Sequence, residues 1–332
     1  MKISKLKSRA IQLNDFFLNR YFGTQRISKL MIYLTTRCNS RCNTCNLWKS
    51  EKKDMSVDLF EKIINSKSIK RTTEIGLEGG EIFLHPSIDE IFEIIKGKKF
   101  SIITNGLMPD KVFHYVDKYN IPKVSVSLDG IGEVYKKVRG VDGFDKAITT
   151  LLGLKDKIEV SAIFTLSPWN TSEDYLLVKD WCDKNGIPVS PNFYIDKPFF
   201  DSEIAPGMVD HKRRPADKLL NENDYTRLYS AWLDGEVYFP CFSIGQFVSI
   251  WPDGTVPLCQ GGCVNLGNVV DSSFDDVWRD KKTRELQLQY EKCNKCWLSF
   301  HRAFDVGMVM PAHRFFPRKI FENMFGKIKF PN

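Results

Sequence analysis

Residues 35–48 read TTRCNSRCNTCNLW, placing Cys38, Cys42 and Cys45 in a C-x3-C-x2-C spacing. They follow LMIYLTT (30–36), an apolar, β-branched run of strand length. The set stops at three thiols, and no histidine stands near to complete it; the first is His85. Structural zinc sites are normally closed by four ligands. Three thiolates on a four-iron cluster leave one iron open to a non-protein ligand. The spacing therefore points to a catalytic cluster on the loop after the first strand.

Working outward, strand-like runs recur at TEIGLE (73–78), FSIITN (100–105), KVSVSLD (123–129), IEVSAIFT (158–165) and IPVSPNFY (187–194). Segments of helical period separate them: SVDLFEKIINSK (56–67), SIDEIFEIIKG (87–97), DKVFHYVDKY (110–119), FDKAITTLLGL (144–154) and SEDYLLVKDWCDKNG (172–186). Six β-then-α units predict an α/β fold with a parallel sheet, a partial (β/α)6 TIM-like barrel. Chemistry in such folds gathers at the C-terminal strand ends, where the cysteine loop falls.

Residues 197–225 are charged and aperiodic, a linker or a substrate-facing loop, in which His211, Arg213 and Arg214 are candidates to meet an anionic group. From Gln246, QFVSIWPDGTVPLC predicts two short strands around a Pro-Asp-Gly turn. SFDDVWRDKKTRELQLQ (273–289) predicts one helix leading into CNKC (293–296). This region is loop-rich and needs a metal to hold itself together.

The chain has 332 residues, 42% hydrophobic and 27% charged, as a soluble globular protein would. No apolar run is long enough to cross a membrane, and the N-terminus lacks the pattern of a secretory signal, so the expected location is cytoplasmic. The net charge of +7 gathers near the termini, at Lys2, Lys5, Lys7 and Arg9 and at Arg318, Lys319, Lys327 and Lys329, interleaved with large apolar residues. That pattern fits either a membrane-surface contact or, as the commoner use of amphipathicity, helices that cap the main domain. Nine cysteines in a reducing compartment suggest metal binding rather than disulfides. Their clustering at 38–45 and at 241, 259, 263, 293 and 296 suggests two sites; Cys182, alone on a helix, reads as core.

The Cys38/Cys42/Cys45 triad resembles the signature of the radical S-adenosylmethionine (SAM) enzymes. There the open iron binds SAM, whose reductive cleavage gives a 5′-deoxyadenosyl radical that abstracts a hydrogen atom. LEGGEIFLHP (77–86) is similar to the family's Gly-Gly-Glu motif, which implies that Gly79, Gly80 and Glu81 bind the SAM amino group. SVSLDGIGEVYKKVRG (125–140) resembles the segment that holds the SAM carboxylate, implying Ser127 and Arg139, with Asp129 beside them. ITNG implies a further SAM-side loop at Thr104 and Asn105. One departure is Thr44, where the family often has a larger apolar residue near adenine; Trp48 or AIFT (162–165) would then take that contact.

The frame from Cys241 through Cys259 to Cys293 and Cys296 looks like the SPASM/Twitch extension of these enzymes. With too few cysteines for the full set, it resembles the Twitch form, implying a second, auxiliary [4Fe–4S] cluster on those four residues, with zinc as the alternative. Cys263 is left over, as an alternative ligand, a bystander or a hydrogen-atom donor. The implied organisation is a basic helical segment (1–29), the partial barrel (30–225), a Twitch-like domain (226–300) and a basic amphipathic tail (301–332).

The resemblance implies an electron donor such as flavodoxin or ferredoxin. It leaves open oxidation through the auxiliary cluster, epimerisation through Cys263, or peptide modification. The segment before the first strand is too short for the leader-binding domain of many peptide-modifying relatives. The expectation is therefore oxidation of a small or carbohydrate-like substrate. A zinc-bound, non-enzymatic scaffold or nucleic-acid binder would not explain why the first set stops at three, and no basic-aromatic stripe supports nucleic acid.

Overall fold

The computed structural model describes residues 3–195, 223–260 and 264–331, with backbone alone for residues 3–7. Helix α1 (Ile3–Phe22) leads into six strands: β1 (Lys29–Tyr33), β2 (Glu74–Glu78), β3 (Phe100–Thr104), β4 (Lys123–Ser127), β5 (Glu159–Leu166) and β6 (Val189–Phe193). Between them run α2 (Val57–Ile64), α3 (Ile88–Ile95), α4 (Pro109–Tyr119), α5 (Glu133–Arg139), α6 (Phe144–Leu154) and α7 (Ser172–Lys184). Local chemistry starts several of these helices. Ser56 caps α2 by accepting from the Leu59 amide, and Thr171 and Asp174 form a reciprocal capping box on α7.

The sheet differs from expectation in one strand. Its order is β6-β5-β4-β3-β2-β1-β7, all parallel, and the seventh member is β7 (Phe247–Ile250), paired with β1 from Lys29↔Phe247 to Ile32↔Ile250. The two strands read around the Pro-Asp-Gly turn are both present, and the first, FVSI, has all four residues buried, which suits a strand covered on both faces. The next strand, β8 (Thr255–Pro257), pairs antiparallel with β9 (Asn265–Asn268) instead. The expected Pro-Asp-Gly turn is present between them and β7, with the Gly254 amide on the Trp251 carbonyl.

The remaining elements are α8 (Asp224–Leu233), α9 (Phe274–Arg279), α10 (Lys281–Tyr290), α11 (Ser299–Phe315) and α12 (Arg318–Phe325). The single helix expected over 273–289 is two, because Asp280 is extended (φ −56°, ψ 141°) and its side chain caps α10 on the Lys282 amide. Helix α8 begins at the end of the segment read as aperiodic, while His211, Arg213 and Arg214 lie outside the described residues.

Alternate strand residues such as Leu30, Ile32, Ile75, Leu77, Val124 and Val126 pack outward in the main core, which also holds Cys182. The opposite set faces the barrel interior. The terminal helices cap the barrel: Phe16 of α1 stacks on Phe325 of α12, and Phe300 and Phe304 of α11 lie against Phe247. Helix α11 is no peripheral tail, since His301, Arg302, Asp305, Val306 and Val309 are all buried. Among the described residues no helix is long and apolar enough to cross a membrane.

Candidate active site

The loop after β1 carries Cys38, Cys42 and Cys45, and the next two strand ends clamp it. The Gly80 amide donates to the Thr35 carbonyl and the Glu81 amide to the Arg37 carbonyl, both at 2.7 Å. A Cβ on Gly80 would stand 2.1 Å from the Arg37 oxygen, and one on Gly79 (φ +152°) 2.5 Å from the Thr35 oxygen. The two glycines thus let the cysteine loop cross directly over the end of β2. Asp54 ties the loop from the far side, accepting from Thr35 Oγ1 and Arg37 Nε.

A second clamp comes from the end of α5. The Arg41 and Asn43 amides donate to the carbonyls of Arg139 and Val138. Gly140 (φ +68°) leaves room for the Arg41 carbonyl, which a Cβ would approach to 2.2 Å. Ser40 Oγ bridges the Arg139 carbonyl and Cys42 Sγ, and the Ser40 amide points at Cys38 Sγ at 3.4 Å. Trp48 donates its indole N–H to the Cys42 carbonyl, with Arg41 and Lys49 near its ring.

Glu81 is fully buried. Its carboxylate accepts from Thr104 Oγ1 (2.8 Å) and from the Asn105 amide (2.8 Å). Burial raises its carboxyl above the ordinary value against those donors and Arg139. The Asn105 amide group reaches Asn39 Oδ1 at 2.7 Å and faces Cys38 Sγ at 3.8 Å. Arg139 pairs with buried Asp129 at 3.0 Å, and its Nε is buried with no partner among the described residues. Burial opposes its charge, but Cys42, Asp129 and Tyr135 outweigh that and keep it protonated. Asp129 also accepts from the Thr165 amide of β5, and Ser127 ends β4 half-buried. Thus the three cysteines, Gly79 to Glu81, Thr104, Asn105, Ser127, Asp129 and Arg139 all gather at the C-terminal ends of β1 to β4.

The thiols are free, and Cys38 and Cys45 feel one another and Cys42. Burial raises the thiol of Cys38 and pushes that of Cys45 up to about 12. Binding iron as thiolates must therefore expel protons. Three mutually close thiols, an orphaned guanidinium nitrogen and a carboxylate fit a three-cysteine cluster with one iron open to a zwitterionic ligand.

The second set gathers around Arg302. Cys241, Cys259 and Cys293 lie in or against one small apolar cluster with Ile244 and Leu258, and Cys296 stands near them on the same CNKC turn. Cys241 feels Cys296 and Cys259, and Cys296 feels Cys259 and Cys293. Arg302 is 0% exposed and donates to the carbonyls of Phe239, Pro240, Cys293 and Cys296. Burial opposes its charge, yet Cys241 and Cys296 hold it protonated, so the cation offsets the charge that thiolates would bring. Among the described residues no three His, Cys, Asp or Glu side chains converge as ligands of one metal ion would. Four thiols gathered beside one buried cation are the number that saturates a [4Fe–4S] cluster. Cys263 lies outside the described residues.

Three residues absent from the sequence reading join the two sites. Gln260, beside Cys259, donates from Nε2 to Tyr33 Oη (2.8 Å) and to Glu78 (3.0 Å) at the ends of β1 and β2. Burial, then Glu78, raises the Tyr33 phenol well above its ordinary value. The inward parity of Tyr33 and Glu78 was legible in the strand alternation; the reach of Gln260 from a distant loop was not. Below them the barrel encloses about 690 Å³, walled by such polar residues as Ser125, Ser161, Ser190 and Asn192.

Comparison with known proteins agrees with this geometry. Residues 32–181 match the model of the radical SAM superfamily, and residues 241–297 match that of the SPASM iron–sulfur cluster-binding domain. A probable GTP 3′,8-cyclase of Methanococcus vannielii is 30% identical over 209 residues, 55% of this chain and 68% of that protein. The antilisterial bacteriocin subtilosin biosynthesis protein AlbA of Bacillus subtilis is 30% identical over 279 residues, 76% of this chain and 60% of that one. Among solved structures, Streptococcus suis SuiB bound to precursor peptide SuiA superposes with a TM-score of 0.61 at 15% identity, covering 85% of this chain and 70% of that one. Native anSMEcpe with bound AdoMet gives 0.57 at 16% identity, covering 89% and 99%.

Proposed function

From the premise that the chain belongs to the radical SAM superfamily and ends in a SPASM iron–sulfur domain, and so uses SAM with a [4Fe–4S] cluster and an auxiliary cluster, we propose that it oxidises a hydroxyl-bearing small molecule held inside the barrel. The observation that carries this reading is the barrel interior of about 690 Å³, whose serines, Asn192, Tyr33 and Glu78 offer hydrogen bonds to a polar ligand below the cysteine loop. When bound, SAM with its cluster supplies a radical that removes a hydrogen atom, and the auxiliary cluster supplies a one-electron acceptor.

Cys38, Cys42 and Cys45 hold the first cluster. Gly79, Gly80 and Glu81 shape the pocket for the SAM amino group, with Thr104 and Asn105 fixing Glu81. Ser127 and Arg139 bind its carboxylate, and Asp129 orients Arg139. Cys241, Cys259, Cys293 and Cys296 hold one auxiliary cluster, the Twitch form. Conversion of an alcohol to a ketone removes a hydrogen atom, a proton and an electron. Glu78 takes the proton, since its carboxylate faces the cavity and Gln260 and Tyr33 fix its orientation. The proposed organisation is an N-terminal helical segment (1–29), the barrel (30–225) and the cluster domain (226–300), with two corrections to the sequence reading: β7 of the last completes the barrel sheet, and α11 packs into the body instead of forming an amphipathic tail over 301–332. A cytoplasmic location and a flavodoxin or ferredoxin donor complete the reading.

The test presents anaerobic, reconstituted enzyme, SAM and dithionite with sugars, aminocyclitols and polyols in D2O. A substrate raises 5′-deoxyadenosine above the uncoupled level and yields a product two mass units lighter. A product of unchanged formula carrying one deuterium, abolished by Cys263→Ala, would mean epimerisation instead. The AlbA likeness, across 76% of this chain, favours a second reading, a ribosomal peptide substrate; stimulation by peptides alone would establish it over the first.

A further inference from the structure

Arg9, Lys29 and Phe300, which wall the barrel cavity at the base of the sheet, also wall a second cavity of about 720 Å³ between α1, α11 and α12. The lining changes at that junction. Above it stand serines and carboxylates; below it stand Leu13, Phe17, Phe304, Met308 and Met324. Both volumes lie within the roughly 300–1,000 Å³ of small-molecule sites.

Two cations mark the boundary: Arg9, and Lys29, whose ammonium lies 5.0 Å from the Phe300 ring centre. Glu74, which Lys99 and Ser8 also engage, and Glu78 act on the Lys29 ammonium and favour its charge against burial. At the outer end Phe315 is 83% exposed, Phe316 44% and Leu13 37%, a grouping of large apolar side chains that soluble surfaces seldom carry without a partner. The groove floor crosses Gly307, in the middle of α11, where a Cβ would meet only the Arg9 guanidinium, at 3.8 Å. Glycine there weakens the helix relative to alanine, and its missing side chain deepens the groove.

We propose that this groove holds the alkyl or isoprenoid tail of a single-chain amphiphilic substrate. Its hydroxylated head lies in the barrel, and an anionic link joins the two between Arg9 and Lys29. The proposal rests on the reading above that the barrel oxidises a hydroxylated molecule, and it narrows that molecule to a lipid-linked one. A tail suits the site better than a bilayer face does, because the apolar surface is concave and shares a wall with a polar cavity, whereas interfacial helices lay an apolar face onto the membrane plane.

The test uses the reconstituted full chain and a fluorescent fatty acid, 11-(dansylamino)undecanoate, displaced by dodecyl phosphate below its micellar concentration. Wild type should bind both, and Gly307→Phe should bind at least ten-fold more weakly with unchanged cluster absorbance and uncoupled 5′-deoxyadenosine formation. Phe315→Ser, on an exposed side chain, should weaken binding several-fold and covers the case in which Gly307→Phe fails to fold. Arg9→Gln should weaken dodecyl phosphate but not dodecanol. Wild-type binding in both groove variants overturns the tail site. So does a wild type that ignores the monomeric probes and sediments only with phosphatidylglycerol vesicles. Turnover of polyols and of dodecyl glycosides is read on the same samples. Lost tail binding with polyol turnover intact overturns this proposal alone; tail binding with turnover of neither free polyols nor dodecyl glycosides upholds the tail site and overturns the assigned reaction.

Discussion

Arg302 Nε donates to the Cys296 carbonyl at 3.0 Å, so a guanidinium with no exposed surface fixes the backbone of the C-terminal CNKC turn. The same side chain reaches the Phe239, Pro240 and Cys293 carbonyls, and Asp305 lies 3.8 Å from it. One planar, permanently charged fork thereby ties two loop segments, 239–240 and 293–296, to α11.

Arg302→Lys should therefore empty the auxiliary site. A lysine keeps the charge but loses the fork, and each buried carbonyl left unsatisfied costs about 1–3 kcal/mol. Iron and acid-labile sulfide should fall from about eight to about four per chain, the number left on the SAM-binding cluster. Eight irons retained would show that the four cysteines need no such clamp.

The reciprocal experiment is the triple variant Cys38→Ala/Cys42→Ala/Cys45→Ala, which should also retain about four irons, now in the auxiliary site. Uncoupled 5′-deoxyadenosine formation should vanish. Complete loss of iron would leave the C-terminal cysteines without a cluster.

Gly80→Ala should act like that triple variant without touching a cysteine. Its Cβ would meet a backbone oxygen at 2.1 Å, and neither partner is a flexible side chain. A cost of about 1–3 kcal/mol or more is expected for such overpacking. The readout is loss of the first cluster with the auxiliary one intact.

His85 should make stability pH-dependent. The Ser87 amide donates to its Nδ1, and its Nε2 lies 2.9 Å from the Met55 carbonyl, so the ring is neutral with the proton on Nε2. Burial depresses its pKa below the ordinary 6.5. Below pH 6.5 the unfolded chain then binds more protons than the folded one. The stabilisation from His85 is complete above 6.5 and is lost as pH falls through the lower folded value. Thermal unfolding of apo protein from pH 7.5 to 5.5 should show this slope, and His85→Gln should flatten it.

Glu78→Gln should separate initiation from turnover. Uncoupled SAM cleavage should persist, while product from a hydroxylated substrate falls at least 10²-fold, the usual contribution of a positioned base. Equal loss of both activities would place Glu78 in SAM binding instead.

The strand alternation and the loop between β1 and α2 made most of the barrel legible, because a two-residue period and a cysteine spacing are local properties. The two strands and the turn read from QFVSIWPDGTVPLC are present, but their pairing shows where local reading stops. β7 is a buried strand whose partner is β1, more than two hundred residues earlier, and hydrogen bonding over that separation leaves no periodic trace. The same limit hid Arg302, which reads as one more basic residue near the C-terminus until the fold buries it among carbonyls.

The sequence by itself determined the cofactor chemistry, because three thiols that stop short of four, followed by Gly-Gly-Glu at the next strand end, specify an open iron and a close backbone approach. Only the tertiary structure decided what surrounds that chemistry: the Gln260 bridge from the auxiliary loop to Glu78, the Arg302 clamp, and the apolar groove that meets the barrel at Lys29. Each depends on residues far apart in the chain being brought together by burial. Burial is a property of the whole packed body and has no signature in any one stretch of it.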